Sequence, residues 1–341
     1  GRALFDVLDT NVPGLPQAER SFRISNIAPE HFDRVMRIFR NIIVVDIQDI
    51  YTQPKIKFSR DVYAAPQMIM TIQAPDEKEF AEAKKFFCQM TSGYGTDGES
   101  YIFCPGNHDM KYSEKDYEDN SPIELNYDKA KNNYIDFYEK VKGITANKYN
   151  NNIHRFVALN GTLVEIIALN TCILQQDREH FRGMGFAGNN QLFELRNALK
   201  VTDKMNVLRI LVMHHNLLPV IYSEEPKVNP MYSMLLDSEA ISQFCIQNNI
   251  LLVLHGHTHK NFYVEMTRKC GSKDDQKKTI YVIGLGSTGA SKSDLTDGYN
   301  NQFATIQIEE KILKLNIYEL FPSGSNEKTE PICKYIIPFG G

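Results

Sequence analysis

The chain lacks any basic excess: 38 lysines and arginines stand against 42 aspartates and glutamates, a formal charge of -4. A sequence-independent grip on nucleic acid needs a basic surplus or stripe, so that class is excluded. No apolar run approaches the ~20 residues that span a bilayer. Cysteine is sparse and dispersed, at positions 88, 104, 172, 245, 270 and 333. That spacing excludes a zinc knuckle or a disulfide framework and points to reduced, packed thiols in a cytoplasmic setting. The 20 glycines and 14 prolines form no periodic tract, which removes collagen-like and low-complexity classes. The chain opens on Gly1, so the lack of a signal peptide carries little weight. What is present suffices for a large core: 42% apolar and 11% aromatic residues in 341, room for one large domain or two small ones.

Short apolar runs alternate with helical patterns. Strands are expected at Ile42–Val45, Met68–Ile72, Tyr101–Cys104, Leu163–Leu169, Val207–Met213 and Ile250–Leu254. Helical spacing marks Glu77–Met90, Ala130–Val141, Gln191–Leu199 and Ser238–Gln247. This alternation argues for an α/β sheet covered on both faces. After residue 260 it stops. Asn261–Met266, Thr279–Leu285, Phe303–Glu309 and Ile312–Leu320 read as consecutive antiparallel strands, hence a second, strand-rich sheet. Residues 1–40 hold one amphipathic helix with Phe32, Val35, Met36 and Phe39 on its face, free to dock on the sheet domain or on a partner or neighbouring domain. The expected organisation is an extension at 1–40, a domain at 41–320 and a tail at 321–341. The acidic stretch 112–128 and the charged stretch 269–278 read as surface loops.

Histidine is scarce, nine in all, yet six lie in three clusters, each directly after an expected strand. These are Gly106-Asn107-His108-Asp109, His214-His215-Asn216 and His255-Gly256-His257-Thr258-His259. Groups just past the carboxyl ends of strands in an open α/β sheet converge on one edge. Imidazoles, an amide oxygen and carboxylates gathered there suit manganese, iron, zinc or cobalt. Taken singly, each histidine reads as a packed or surface residue; the joint pattern carries the inference.

The order GNHD, HH, GHTH resembles the calcineurin-like metallophosphoesterases, in particular their nucleotide phosphodiesterase and pyrophosphatase branch, over residues 41–320. The resemblance implies a four-layer α/β/β/α sandwich: two mixed β-sheets flanked by helices. It implies one or two divalent ions (manganese, iron, zinc, magnesium or cobalt) and a small nucleotide-like phosphoester as substrate. Asn107, His214 and His257 would hold one ion, and His259 the other. His108 would sit over the leaving group, with Asp109 orienting or charge-tuning it. Hydrolysis would proceed by in-line attack of a metal-held hydroxide.

Two departures qualify this expectation. The family opens with DxH, whereas this chain reads Asp46-Ile47-Gln48 at the end of its first strand. The amide oxygen of Gln48 is a harder ligand than imidazole and favours manganese or magnesium over zinc. The family then carries GD, whose carboxylate bridges the two ions. Here the matching strand runs into Gln73-Ala74, and the dipeptide GD occurs nowhere. Two dications ~3.5–4 Å apart repel by roughly 18 kcal/mol at an effective dielectric of ~20, a ceiling rather than a net cost. Without that bridge three outcomes stand open: Asp76 substitutes, one ion binds and supports slow hydrolysis, or the fold serves as a binding scaffold or sensor without catalysis.

Gly284-Leu285-Gly286-Ser287-Thr288-Gly289 matches the dinucleotide fingerprint GxGxxG. The residues after it lack the periodicity of the helix that a pyrophosphate cradle requires, so the match reads as a loop.

Overall fold

The computed structural model describes strands at 42–48 and 67–73, helical residues at 80–85, and 101–110, 130–222, 231–269, 277–287 and 300–340 with short interruptions. The expected N-terminal helix, the loops at 112–128 and 270–276, and Ala74 and Asp76 lie outside the described residues.

The parallel strands are nearly continuous apolar runs, the signature of strands covered on both faces. The first sheet orders its strands β15-β14-β13-β1-β2-β3. Strands β1 (Ile42–Gln48), β2 (Gln67–Gln73) and β3 (Tyr101–Phe103) run parallel, while β13 (Asn301–Glu309), β14 (Ile312–Leu320) and β15 (Cys333–Pro338) add antiparallel neighbours. The second sheet orders β11-β12-β10-β7-β5-β4. Its parallel centre is β5 (Leu163–Ala168), β7 (Val207–Met213), β10 (Ile250–His255) and β12 (Lys277–Gly284). Antiparallel edges are β4 (Asn152–Val157) and β11 (Phe262–Lys269). A small third sheet pairs β6 (Met184–Gly185), β9 (Met231–Leu235) and β8 (Val220–Tyr222).

Side-chain alternation along each strand divides the core in two. Ile166, Ile210, Val212 and Leu254 meet Ala304, Ile306, Leu315 and Ile317 between the sheets. Leu211, Met213 and Val253 face outward, under Leu192 and Leu195 of α2 (Asn189–Leu199) and Ile241 and Phe244 of α3 (Ser238–Gln247). On the other flank α1 (Asn132–Lys142) buries Tyr134, Phe137, Tyr138 and Val141, the i, i+3, i+4, i+7 face. The Phe137 ring meets Phe103 edge-on at 5.1 Å. A left-handed Gly143 (φ 69°) closes α1. The four-layer α/β/β/α arrangement with two mixed sheets is therefore the observed fold.

Two expectations require correction. The strands after residue 260 do not form a sheet of their own. β11 and β12 join the second sheet, with Tyr281–Gly284 of β12 beside Leu252–His255 of β10, and β13 to β15 complete the first. The buried Ile280, Val282 and Ile283 give β12 the two-faced burial of an interior strand, which a surface hairpin does not need. Nor is 321–341 only a tail, because Cys333–Pro338 pairs with β14 as an edge strand. The GxGxxG run leaves β12 at Gly284 and continues through 285–287 without helix.

Candidate metal centre

All three histidine clusters leave strands at the same edge of the sandwich. Beyond β3, the Cys104 thiol donates to the carbonyl of Leu169 at 3.2 Å and lies 3.7 Å from that of Val212, tying the ends of β3, β5 and β7 together. One 3-10 turn follows, Asn107–Asp109. The buried Asp109 carboxylate accepts the Gly106 N–H at 2.7 Å, so it shapes the turn that presents Asn107 and His108. Asn107 is half-buried and His108 exposed at the mouth.

From β7 the chain enters His214 and from β10 it enters His255–His259. The Gly256 N–H donates to the His214 carbonyl at 3.2 Å, locking the two exits together. His214 Nε2 lies 2.7 Å from Asn107 Oδ1 and 3.0 Å from His257 Nδ1. Ligands at about 2.1 Å from one ion stand about this far apart, so the three atoms fit a shared divalent cation. His214 Nδ1 has no hydrogen-bond partner among the described residues although the ring is fully buried. A Cβ on residue 106 would stand 3.2 Å from that ring, so glycine lets the GNHD turn approach it closely.

The backbone is strained where the ligands sit. His257 (φ 69°) and His259 (φ 53°) both adopt the left-handed conformation, at about 1–2 kcal/mol each for a residue other than glycine. Strain of this kind persists where the surrounding structure enforces it, and it clusters at functional sites. Burial holds His214 and His257 well below the usual histidine range, and the neighbouring imidazoles push them further down. The same desolvation brings His215 to about 3 and His255 to about 4. These rings are neutral at physiological pH, the form that binds metal.

Thus Asn107, His214 and His257 come together as a group, with His259 buried in the same loop and His108 at the surface. Asp46 and Gln48 end β1, with Asp46 level with Thr71 and Gln48 level with Gln73 of β2; their side chains lie outside the described residues. Two histidines without an assigned role join the cluster. His255 ends β10, packs 4.8 Å from the Phe262 ring and leaves both ring nitrogens unpartnered among the described residues. His215 groups with His214 and His257, their ligand atoms within 4.8 Å of one another. Its adjacency to His214 was the one sequence signal for it.

Residues 1–87 match a domain family of unknown function, DUF8532, and residues 73–261 match the calcineurin-like phosphoesterase family. No curated protein matches the chain. Among solved structures, a dimetal phosphatase from Danio rerio is similar at 12% identity, covering 80% of this chain and 84% of that one, with a TM-score of 0.38. GAP50, the anchor in the inner membrane complex of Plasmodium, is similar at 12% identity over 88% and 89%, with a TM-score of 0.43. Zinc-complexed Vps29 from Entamoeba histolytica is similar at 12% identity over 88% and 99%, with a TM-score of 0.29. The match at 73–261 covers more than half of the chain and all three histidine clusters, so the chain belongs to the calcineurin-like phosphoesterase family.

Proposed function

We propose that the protein is a metal-dependent phosphoesterase that hydrolyses a phosphodiester or pyrophosphate bond in a nucleotide-like substrate. The observation that carries this reading is the convergence of Asn107 Oδ1 and His257 Nδ1 on His214 Nε2, at 2.7 and 3.0 Å. A divalent ion held there, with manganese favoured by the amide ligands, would supply positive charge for a phosphoryl oxygen and acidify a water. The residues themselves do the rest. The exposed His108 stands at the mouth and gives its proton to the departing oxygen. Asp109 fixes the turn that carries it. Asp46, Gln48 and His259 would complete the ligand set on the far side, with Asp46 contributing the negative charge.

A second reading, a phosphoesterase fold retained as a binding scaffold or sensor, is favoured by one specific observation. β2 runs to Gln73 and into Ala74, where the family has its bridging carboxylate, and the phosphoesterase match begins at 73, after Asp46 and Gln48. Elemental analysis together with manganese-dependent turnover of bis(p-nitrophenyl) phosphate separates the two. The enzyme reading expects bound metal, turnover and loss of both in His214→Ala. Absence of turnover with every divalent metal overturns it, and activity arising only in Ala74→Asp establishes the scaffold reading.

A further inference from the structure

Asn170 and Gln191, neither with any exposure, stitch three segments together beyond the carboxyl end of β5. The Asn170 side chain donates to the Tyr149 carbonyl at 2.7 Å and accepts the Cys172 N–H at 2.8 Å. Gln191 accepts the Asn170 N–H at 2.9 Å and donates to the carbonyls of Asn170 and Ala187, both at 2.8 Å. Between these segments lies a cleft of about 150 Å³ whose mostly apolar walls are Tyr149, Ile173, Phe186 and Ala187, with the exposed Asn189 and Asn190 at its rim. The cleft adjoins the metal centre. Phe186 follows Gly185, where a Cβ would stand 2.4 Å from the His215 ring, and its N–H donates to the Thr171 carbonyl at 2.9 Å. Thr171 Oγ1 lies 2.8 Å from His215 Nδ1. The Cys172 thiol donates to the Pro105 carbonyl at 3.3 Å, just before the turn that carries Asn107.

We propose that this cleft seats a single aromatic ring of the substrate, of the size of a pyrimidine base, while the phosphate lies at the metal centre. The proposal rests on the functional reading above and names the second point at which the substrate is held. Size and chemistry select the occupant. A cavity of about 150 Å³ with apolar walls takes up one benzene-sized ring, and a fused purine is larger by a second ring. Tyr149 and Phe186 offer aromatic surface to a planar ring, and Asn189 and Asn190 offer amide donors and acceptors to its polar edge. A phosphate is a poor fit here, although α2 begins at the cleft. The Ala187 and Gly188 N–H groups already donate to the Asp237 carboxylate, at 3.1 and 2.8 Å, so the start of the helix has its anion. A neutral ring enters the cleft and leaves its phosphate to Asn107, His214 and His257.

Isothermal titration of the full chain in manganese compares cytidine 5′-monophosphate, adenosine 5′-monophosphate and ribose 5-phosphate, which share the ribose phosphate and differ in the base. Wild type is expected to bind the cytidine ligand about tenfold more tightly than ribose 5-phosphate, the contribution of one stacked base, and more tightly than the adenosine ligand. The ratio between the cytidine ligand and ribose 5-phosphate should fall to about one in Phe186→Ala. Thermal unfolding checks the fold of that variant, and Phe186→Leu, which keeps bulk without an aromatic face, replaces it should it not fold. A ratio of one in wild type, a ratio kept in the Phe186 variant, or tighter binding of the adenosine ligand overturns the proposal alone. Failure of all three ligands to bind wild type overturns the functional reading with it.

Discussion

Strands β5 and β7 carry buried polar groups near both ends, and the two ends are built on opposite terms. Near the amino ends, Glu165 and Arg209 lie side by side across the strand pair, both almost wholly buried. Arg209 Nε donates to Glu165 Oε2 at 2.7 Å, Nη1 to the Asn248 carbonyl at 2.7 Å and Nη2 to the Leu199 carbonyl at 3.1 Å. Thr202 donates to Glu165 Oε1 at 2.8 Å and Arg155 Nε to the same oxygen at 2.7 Å. One guanidinium thus serves the last carbonyls at the ends of α2 and α3, where the helix dipoles favour a cation. At and past the carboxyl ends of β7 and its neighbour β10 the buried groups include imidazoles crowded against one another, with His214 Nδ1 and both nitrogens of His255 unpartnered among the described residues. Charge and satisfaction mark the structural end; neutrality and open valence mark the functional one.

The sharpest way to break this contrast is to unbalance the ion pair. Arg209→Met should cost about 3 kcal/mol by leaving the buried Glu165 carboxylate with Arg155 and Thr202 on Oε1 and nothing in place of the guanidinium on Oε2. Replacing both residues by apolar ones should recover most of the loss, measured by urea denaturation with a constant m-value. Equal loss in single and double variants would mean that the pair contributes through packing instead.

Acid should act on the other end first. The folded-state values of His215 (about 3) and His255 (about 4) lie below the ~6.5 of an unfolded chain. The unfolded state therefore binds more protons between those limits, so stability is full above pH 6.5 and declines as pH falls toward 4. The expected loss is about 3 kcal/mol for His255 by pH 4, read in metal-free protein. The slope should shrink in His255→Phe, and a slope unchanged there would place the acid sensitivity elsewhere.

A smaller effect is expected at Gly185→Ala, where the added methyl meets the His215 ring at 2.4 Å. Overpacking of this kind costs about 1–3 kcal/mol, and metal affinity should weaken with it. Unchanged stability would mean that the ring moves aside to admit the methyl group. The smallest change in stability belongs to His257→Gly, which relieves the left-handed strain. The relief of about 1–2 kcal/mol of strain is offset by glycine's entropic cost and by the space left by a buried ring, so the unfolding free energy should change little while metal retention is abolished.

Most of the elements were legible because their signals are local. Ser238–Gln247 and Ile312–Leu320 appear with their expected bounds, and the apolar runs of β5, β7 and β10 follow from burial on both faces. Sheet membership was not legible, since β12 and β13 carry similar apolar patterns and differ only in the distant strand each meets. β4 escaped notice because Asn152–Val157 is an edge strand with no buried run. At the site, motif order grouped Asn107, His214 and His257, but the surroundings of His215 are set by Thr171 and Gly185, which no local pattern links to it. One signal was available and passed over: a glutamate in Leu163–Ala168 and an arginine in Val207–Met213, each a lone charge inside an apolar strand.

The position of β1 and β2 has a consequence in time. These strands are made well before β13, yet they lie beside it in the middle of the sheet, with Ile42 opposite Ile306. During synthesis, β1 keeps an unpaired edge until β13 has emerged, and closing so long a loop makes for slow assembly. An open strand edge in that interval invites pairing with other chains. The ribosome thus delivers Asp46 and Gln48 before β13 to β15, but the sheet that sets their place is finished only by those later strands.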